Sequence, residues 1–181
     1  EGEGKDLRKI LDDIDFKSKR IPIYQSLKLV DCKDIDLGER IMTLFGSLQK
    51  YEDSEIHVSE SLGKILRPYQ VIGVKWLTTL KENHLSGILA DDMGLGKTLE
   101  MIAFLSQYKE GGPNLIVTPK SLTFNWEDEF RKFDPESEVV VLTADPATRK
   151  AKIAAIDNQK NVNYIISYDS LRLDLDLFKD K

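Results

Sequence analysis

Ser86-Gly87-Ile88-Leu89-Ala90-Asp91-Asp92-Met93-Gly94-Leu95-Gly96-Lys97-Thr98 is the stretch that decides how this chain is read. Gly87-Ile88-Leu89-Ala90 is a short apolar run of the kind buried in parallel sheets, so the stretch predicts a strand, a glycine-rich turn and the opening of a helix. Gly94 and Gly96 permit a tight turn that brings backbone N–H groups close to an anion. Lys97 adds a point charge suited to β- and γ-phosphates, and Thr98 a hydroxyl suited to a phosphate-bound magnesium ion. The helix expected from about Thr98 aims its positive end at the same place. Asp91 stands where the pattern G-x-x-x-x-G-K-[ST] asks for glycine. A glycine-rich loop can also be a plain turn, but the strand expected before it and the helix after it favour phosphate binding.

Outside that stretch, composition sets limits. The chain has 181 residues, room for one ordinary domain or one domain with an appendage. The lone Cys32 makes no internal disulfide, which fits a reducing compartment. With only His57 and His84 beside it, no zinc cluster can be assembled. No apolar run is long enough to cross a bilayer, and the acidic, mixed N-terminus is no signal peptide. The expected setting is the cytosol or nucleus, without membrane attachment. A net charge of −5 argues against a protein that coats polyanions generally, although a local basic face suffices for nucleic acid.

Before the loop, Leu7, Ile10, Leu11 and Ile14 share a helical face, Lys17 to Arg20 reads as a solvated linker, and Pro22 breaks any helix there. Asp36 predicts an N-cap for a helix whose stripe runs through Leu37, Ile41, Leu44, Phe45, Leu48 and Tyr51. Tyr51 to Lys64 is polar and reads as a linker, with the main boundary near residue 60. The division is therefore a helical appendage over 1–60 and an α/β unit over 61–181. Pro68 opens the next helix, with Tyr69, Ile72, Gly73, Trp76, Leu77 and Leu80 as its expected buried stripe. Gln70, in its first turn, offers the donor and acceptor that an adenine edge requires, although a helical glutamine is more often surface decoration.

After the loop, Leu99, Ile102, Ala103 and Leu105 mark a helix ending by Gly111-Gly112-Pro113. Asn114 to Thr118 reads as a strand ended by Pro119, and Ser121 as the cap of a helix carrying Leu122, Trp126, Phe130 and Phe133 on one side. Glu138 to Thr143 is a third strand, Pro146 to Asp157 a helix, and Val162 to Ser167 a fourth strand. Tyr168 onward reads as helix, although Leu171, Leu173, Leu175 and Leu177 alternate at period two. Strands alternating with helices predict a parallel sheet with helices on both faces. Ligands of such sheets bind at the carboxyl ends of the strands, where the loop after Ala90, Pro119 to Ser121, and Ser167-Tyr168 all fall.

Together these residues resemble the SWI/SNF-type DNA-dependent ATPases of helicase superfamily two, from about Ile56 to Lys181. Leu66-Arg67-Pro68-Tyr69-Gln70, with Gly73 and Trp76-Leu77, resembles that family's Q-motif entry. Ile88 to Thr98 resembles its motif I, in which the first Walker glycine is absent, as at Asp91. Leu115-Ile116-Val117-Thr118-Pro119-Lys120-Ser121-Leu122, with Asn125-Trp126 and Glu129-Phe130, resembles motif Ia, and Tyr164 to Leu171 motif Ib. The Asp-Asp-Met-Gly wording and the lead-in from Glu55 to Lys64 look most like bacterial members.

The resemblance implies a partial RecA-like, P-loop NTPase fold and a set of roles. Gln70 would read adenine, and Arg67, Asp92, Met93, Gly94, Leu95, Gly96, Lys97 and Thr98 would surround ATP. Lys97 and Thr98 would take part in catalysis, and Thr98 would hold Mg2+. Pro119, Lys120, Ser121, Ser167 and Tyr168 would lie along the backbone of double-stranded DNA, where contacts position without reading sequence. A monomer working with a second RecA-like lobe is implied, nucleoid-associated in a bacterium and nuclear in a eukaryote. Two departures stand out. Glu100 occupies a position where the family usually has glutamine. No Asp-Glu-x-His or Asp-Glu-Ala-His/Gln sequence, the family's source of an acidic magnesium ligand and a water-orienting glutamate, occurs in the 181 residues. The expectation is that these residues form the first part of lobe one and are nearly inactive in hydrolysis on their own. A non-catalytic, nucleotide-responsive scaffold is the alternative, and an unrelated P-loop kinase a third reading.

Overall fold

A computed structural model describes residues 38–142, 145–179 and 181 of the chain. Leu7 to Ile14, Lys17 to Arg20, Pro22, Asp36 and Leu37, for which the sequence carries expectations, lie outside the described residues. The first described helix, α1 (Glu39–Gln49), starts after Gly38 and buries Leu44. A 3-10 turn at Tyr51–Asp53 follows. Lys75 Nζ donates to the Glu52 carbonyl at 2.5 Å, and the hydroxyls of Ser54 and Thr79 lie 2.8 Å apart, so this turn is fastened along the following long helix. The stretch expected to be a linker also holds α2 (Glu60–Ile65). Ser59 caps it by accepting from the Leu62 N–H, and Leu62 is completely buried, giving the short helix an apolar anchor that its polar composition hid.

Pro68 begins α3 (Pro68–Glu82), where its missing N–H costs nothing. The helix ends on His84, whose φ of 54° lies in the left-handed region, while the Leu85 N–H closes back to the Leu80 carbonyl at 2.8 Å. Its buried ridge is Gln70, Val74 and Thr78, spaced three or four apart and turned toward α4 (Lys97–Ser106). The expected stripe is only partly covered: Tyr69 and Ile72 are exposed by more than a third. Tyr69, Ile72, Gly73 and Trp76 instead line an open cavity of about 470 Å³ against residues 88–91.

That cavity reflects a correction to the deciding stretch. Gly87 to Ala90 is not a buried strand here: it pairs with no ladder among the described residues, and Ile88 is 85% exposed. An apolar run becomes a strand only where a neighbour satisfies its N–H and C=O groups, and β1 (Asn114–Thr118) pairs with another strand instead. Gly87 packs against α3, so closely that a Cβ on it would lie 2.5 Å from the Trp76 ring.

The sheet itself is parallel and three-stranded, in the order β1-β3-β2, with β2 at Val139–Val141 and β3 at Asn163–Ser167. Between them come a 3-10 turn (Lys120–Leu122), α5 (Thr123–Phe133) and α6 (Pro146–Ala154), and α7 (Tyr168–Asp174) follows with a 3-10 turn at Leu175–Phe178. The central strand is buried throughout. Its Tyr164 and Ile166 join Leu142, Ile153, Ile156 and Val162 in one core cluster, with Leu171 and Phe178 against it. Ile165, on the opposite face, points to the α5 side. A second cluster, Leu66, Val74 and Ala103, joins α3 to α4.

Other boundaries shift. Ser121 does not cap α5. It sits inside the 3-10 turn that begins at Pro119, and Leu122 precedes the helix without a side-chain cap. Leu122 is accordingly 44% exposed, while Phe130 is buried. The strand expected from Glu138 is ordered as Val139–Val141, and Thr143 lies outside the described residues. Leu173 and Leu175 are exposed, since helix and 3-10 turn bring only Leu171 and Phe178 to the core.

Candidate functional site

Lys97 opens α4, and the loop before it is shaped by glycine. Gly94 has φ 87° and Gly96 φ 85°, conformations that side chains rarely adopt. Gly96 is the N-cap residue of α4, so the loop delivers the free N–H groups of the first turn to one point. Lys97 Nζ folds back over the loop and donates to the Asp91 carbonyl at 2.6 Å and the Asp92 carbonyl at 2.8 Å. Asp92 is exposed and Met93 is 97% exposed at the tip. The loop thus carries a cation, a helix N-terminus and a first-turn hydroxyl, Thr98, in one place. Those are the donors that a magnesium-bound polyphosphate requires. Among the described residues no three His, Cys, Asp or Glu side chains gather to hold a metal.

The entry of α3 is bonded to this loop. Gln70 is 4% exposed, and both ends of its amide are used. Oε1 accepts from the Arg67 N–H at 2.9 Å, and Nε2 donates to the Leu95 carbonyl at 2.9 Å. A Cβ on Gly96 would stand 2.5 Å from that Nε2, so Gly96 serves close approach as well as turn geometry. Tyr69 Oη donates to the same Leu95 carbonyl at 3.0 Å. Arg67 is exposed beside them. The structure therefore brings Arg67, Gln70 and residues 91–98 together. Tyr69 was missed as part of this group, and its only signal in the sequence is its place next to Gln70 in the first turn.

Behind the loop lies Glu100. It is completely buried, and neither carboxylate oxygen has a hydrogen-bond partner. Its side chain fills the space left by Gly73 on α3, where an added Cβ would meet Oε2 at 2.5 Å. Burial pushes its carboxyl up from the ordinary 4.5 to about 7. The negative charge of Asp91 adds to the rise and the positive charge of Lys97 opposes it.

At the carboxyl ends of the strands, Thr118 of β1 is registered against Ser167 of β3. This sets Pro119, Lys120 and Ser121 beside Ser167 and Tyr168. Pro119, Lys120, Ser121 and Tyr168 are exposed, Tyr168 by 60%. Ser167 is buried, and its hydroxyl caps α7 by accepting from the Ser170 N–H at 3.2 Å. Trp126 is half-buried, tilted against Phe130 with ring centres 6.3 Å apart.

A parallel sheet with helices on both faces, joined to a glycine-turned loop with lysine at a helix start, defines a P-loop nucleotide-binding fold. The profile of the SNF2-related domain matches residues 69–181, and the chain belongs to that family. It is 50% identical over 103 residues to the ISWI chromatin-remodeling complex ATPase ISW2 of Saccharomyces cerevisiae, covering 52% of this chain and 9% of that protein. It is 40% identical over 132 residues to helicase SWR1 of the same yeast, covering 70% of this chain and 9% of that protein. Among solved structures, the Sulfolobus solfataricus SWI2/SNF2 ATPase core in complex with dsDNA matches with a TM-score of 0.52 and 32% identity, over 65% of this chain and 24% of that one. The chain thus spans about a tenth of the length of these yeast relatives. No described helix is long and apolar enough to cross a membrane.

Proposed function

We propose that this chain is the ATP-binding part of an ATP-dependent motor that moves along double-stranded DNA. The observation that carries the reading is the loop 91–98: two glycines at positive φ, Lys97 poised over it, and Gln70 bonded to it from α3. In this reading, backbone N–H groups of the loop and Lys97 hold the β- and γ-phosphates, and Gln70 and Arg67 face the adenine. The Thr98 hydroxyl would hold a phosphate-bound Mg2+, which would supply charge neutralisation for phosphoryl transfer. Pro119, Lys120, Ser121, Ser167 and Tyr168 form a strip for one DNA backbone; Ser167, buried and capping α7, contributes by shaping it. Backbone contacts carry no base code, so loading is sequence-independent and weakens with salt. Phosphoryl transfer also needs an acidic magnesium ligand, a positioned water and cationic stabilisation. These residues alone, without the acidic motif, bind nucleotide and turn over little. The protein works where the DNA is, in the nucleus of a eukaryote or the nucleoid of a bacterium.

The test is ATP hydrolysis by the intact protein with and without duplex DNA, beside Lys97→Ala. Strong stimulation by duplex that disappears in the variant is expected. Hydrolysis indifferent to DNA would detach the loop from the strand-end strip and refute the motor reading.

A further inference from the structure

Two donors from α3 converge on a single acceptor in the phosphate loop. Tyr69 Oη and Gln70 Nε2 reach the Leu95 carbonyl at 3.0 and 2.9 Å. Leu95 immediately precedes Gly96, so its carbonyl reports the orientation of the peptide that leads into Lys97. The two donors differ in what else they can do. Gln70 has a buried amide whose oxygen already accepts from the Arg67 N–H and whose nitrogen carries two hydrogens, one of them on Leu95; a base that pulls the amide toward itself draws that donor off the carbonyl. Tyr69 is 37% exposed, lines the cavity beside the loop, and among the described residues its hydroxyl bonds to Leu95 alone.

We infer that Tyr69 is a positioning residue for the phosphate loop: it holds the Leu95 carbonyl while Gln70 is withdrawn to a purine base. The inference rests on the adenine-nucleotide reading of the site. Without ligand the loop has two tethers to α3; with a base engaged it has one. Removing the Tyr69 hydroxyl leaves the free loop held by Gln70 but leaves the base-bound loop with no tether. The loss therefore falls on the nucleotide-bound state and reads as weaker binding. A ligand with phosphates and no base leaves Gln70 on Leu95 in both states, so it is little affected. A merely structural role for Tyr69 would weaken both ligands alike.

The experiment uses the intact protein and its Tyr69→Phe variant, which keeps the ring in the cavity. Calorimetry measures the Kd of MgADP and of inorganic tripolyphosphate with magnesium, and amide hydrogen exchange is followed at residues 94–97. Tyr69→Phe removes a hydrogen bond from both states but leaves the Leu95 carbonyl without a partner only in the base-bound one, which predicts MgADP binding weaker by about 3- to 10-fold, and tripolyphosphate by less than about 2-fold. Exchange at 94–97 in the MgADP complex is expected to be faster in the variant. Unchanged MgADP affinity, or equal weakening of both ligands, overturns the inference and leaves the nucleotide site standing. Failure of the unaltered protein to bind MgADP overturns the nucleotide reading and this inference with it. Where tripolyphosphate binds too weakly to measure, Gln70→Ala takes its place. In that background Tyr69 is the sole tether in both states, so Tyr69→Phe should change MgADP binding by less than about 2-fold, and an undiminished effect overturns the inference.

Discussion

Replacing Glu100 by glutamine removes a charge without changing shape, and the structure sets the size of the effect. The carboxyl is sealed between α4 and Gly73 with no hydrogen bond to either oxygen. Its proton is held up to about 7 in the folded chain, against 4.5 when exposed. The folded state therefore binds more protons than the unfolded state between those values, and stability falls as pH rises through that window. Each unit of separation is worth about 1.4 kcal/mol, so ionising Glu100 costs on the order of 3 kcal/mol by pH 8. Glutamine buries a neutral amide in the same space, so at pH 5 the two proteins should agree within about 1 kcal/mol. Urea denaturation of the chain and of Glu100→Gln at pH 5 and pH 8 gives the comparison. The variant should be more stable at pH 8 by roughly 3 kcal/mol, with the pH-dependent difference confined to the interval from 4.5 to about 7. Other titrating groups cancel in the difference. Parallel pH profiles for the two proteins would refute the burial argument, because an ionised Glu100 would then have found a partner that the folded chain does not provide.

Three further predictions test the packing around the site. Gly96→Ala combines left-handed backbone strain with a clash on Gln70 Nε2 and should cost about 2–3 kcal/mol, whereas Gly94→Ala, with nothing within 4 Å, should cost about 1 kcal/mol, both read by urea titration. His84→Gly relieves the left-handed end of α3 and should stabilise the chain by about 0.5–1 kcal/mol in thermal denaturation. Asp174→Ala leaves the Arg149 guanidinium, buried between α6 and α7, without its carboxylate and should cost about 3–5 kcal/mol, while loss of less than about 1 kcal/mol would show that the pair is dispensable.

Much of this architecture was legible because the signals were local. Gly96 and Lys97 mark the start of α4 by backbone freedom and charge, and Asn114–Thr118 and Asn163–Ser167 announce themselves as apolar runs between breakers. The misreadings arise where the answer depends on a partner distant in sequence. Gly87 to Ala90 has the composition of a buried strand, yet composition cannot say whether a neighbour lies alongside, and among the described residues none does. The face of α3 was misjudged for the same reason, since Tyr69 and Ile72 look across at that unpaired segment. Ser121 has the chemistry of a cap, but Pro119 sets a 3-10 turn that places it one turn too early. Glu100 could be recognised as an unusual residue next to the loop. Its burial could not, because the space it fills is created by the missing side chain of Gly73, 27 positions earlier.

The same reasoning explains why recognising a phosphate loop does not give its affinity. The groups that would grip a nucleotide are not idle in the free chain. Lys97 already serves the carbonyls of Asp91 and Asp92, and Gln70 already serves those of Leu95 and the Arg67 N–H. Binding exchanges these bonds instead of adding to an empty site, so only the difference appears as affinity. For Lys97 the exchange is favourable, since a phosphate oxygen is a charged acceptor and a carbonyl is not. For Gln70 it is nearly even, one neutral acceptor for another. The polyphosphate should therefore supply most of the binding energy, and the base should act chiefly on specificity and on the posture of the loop.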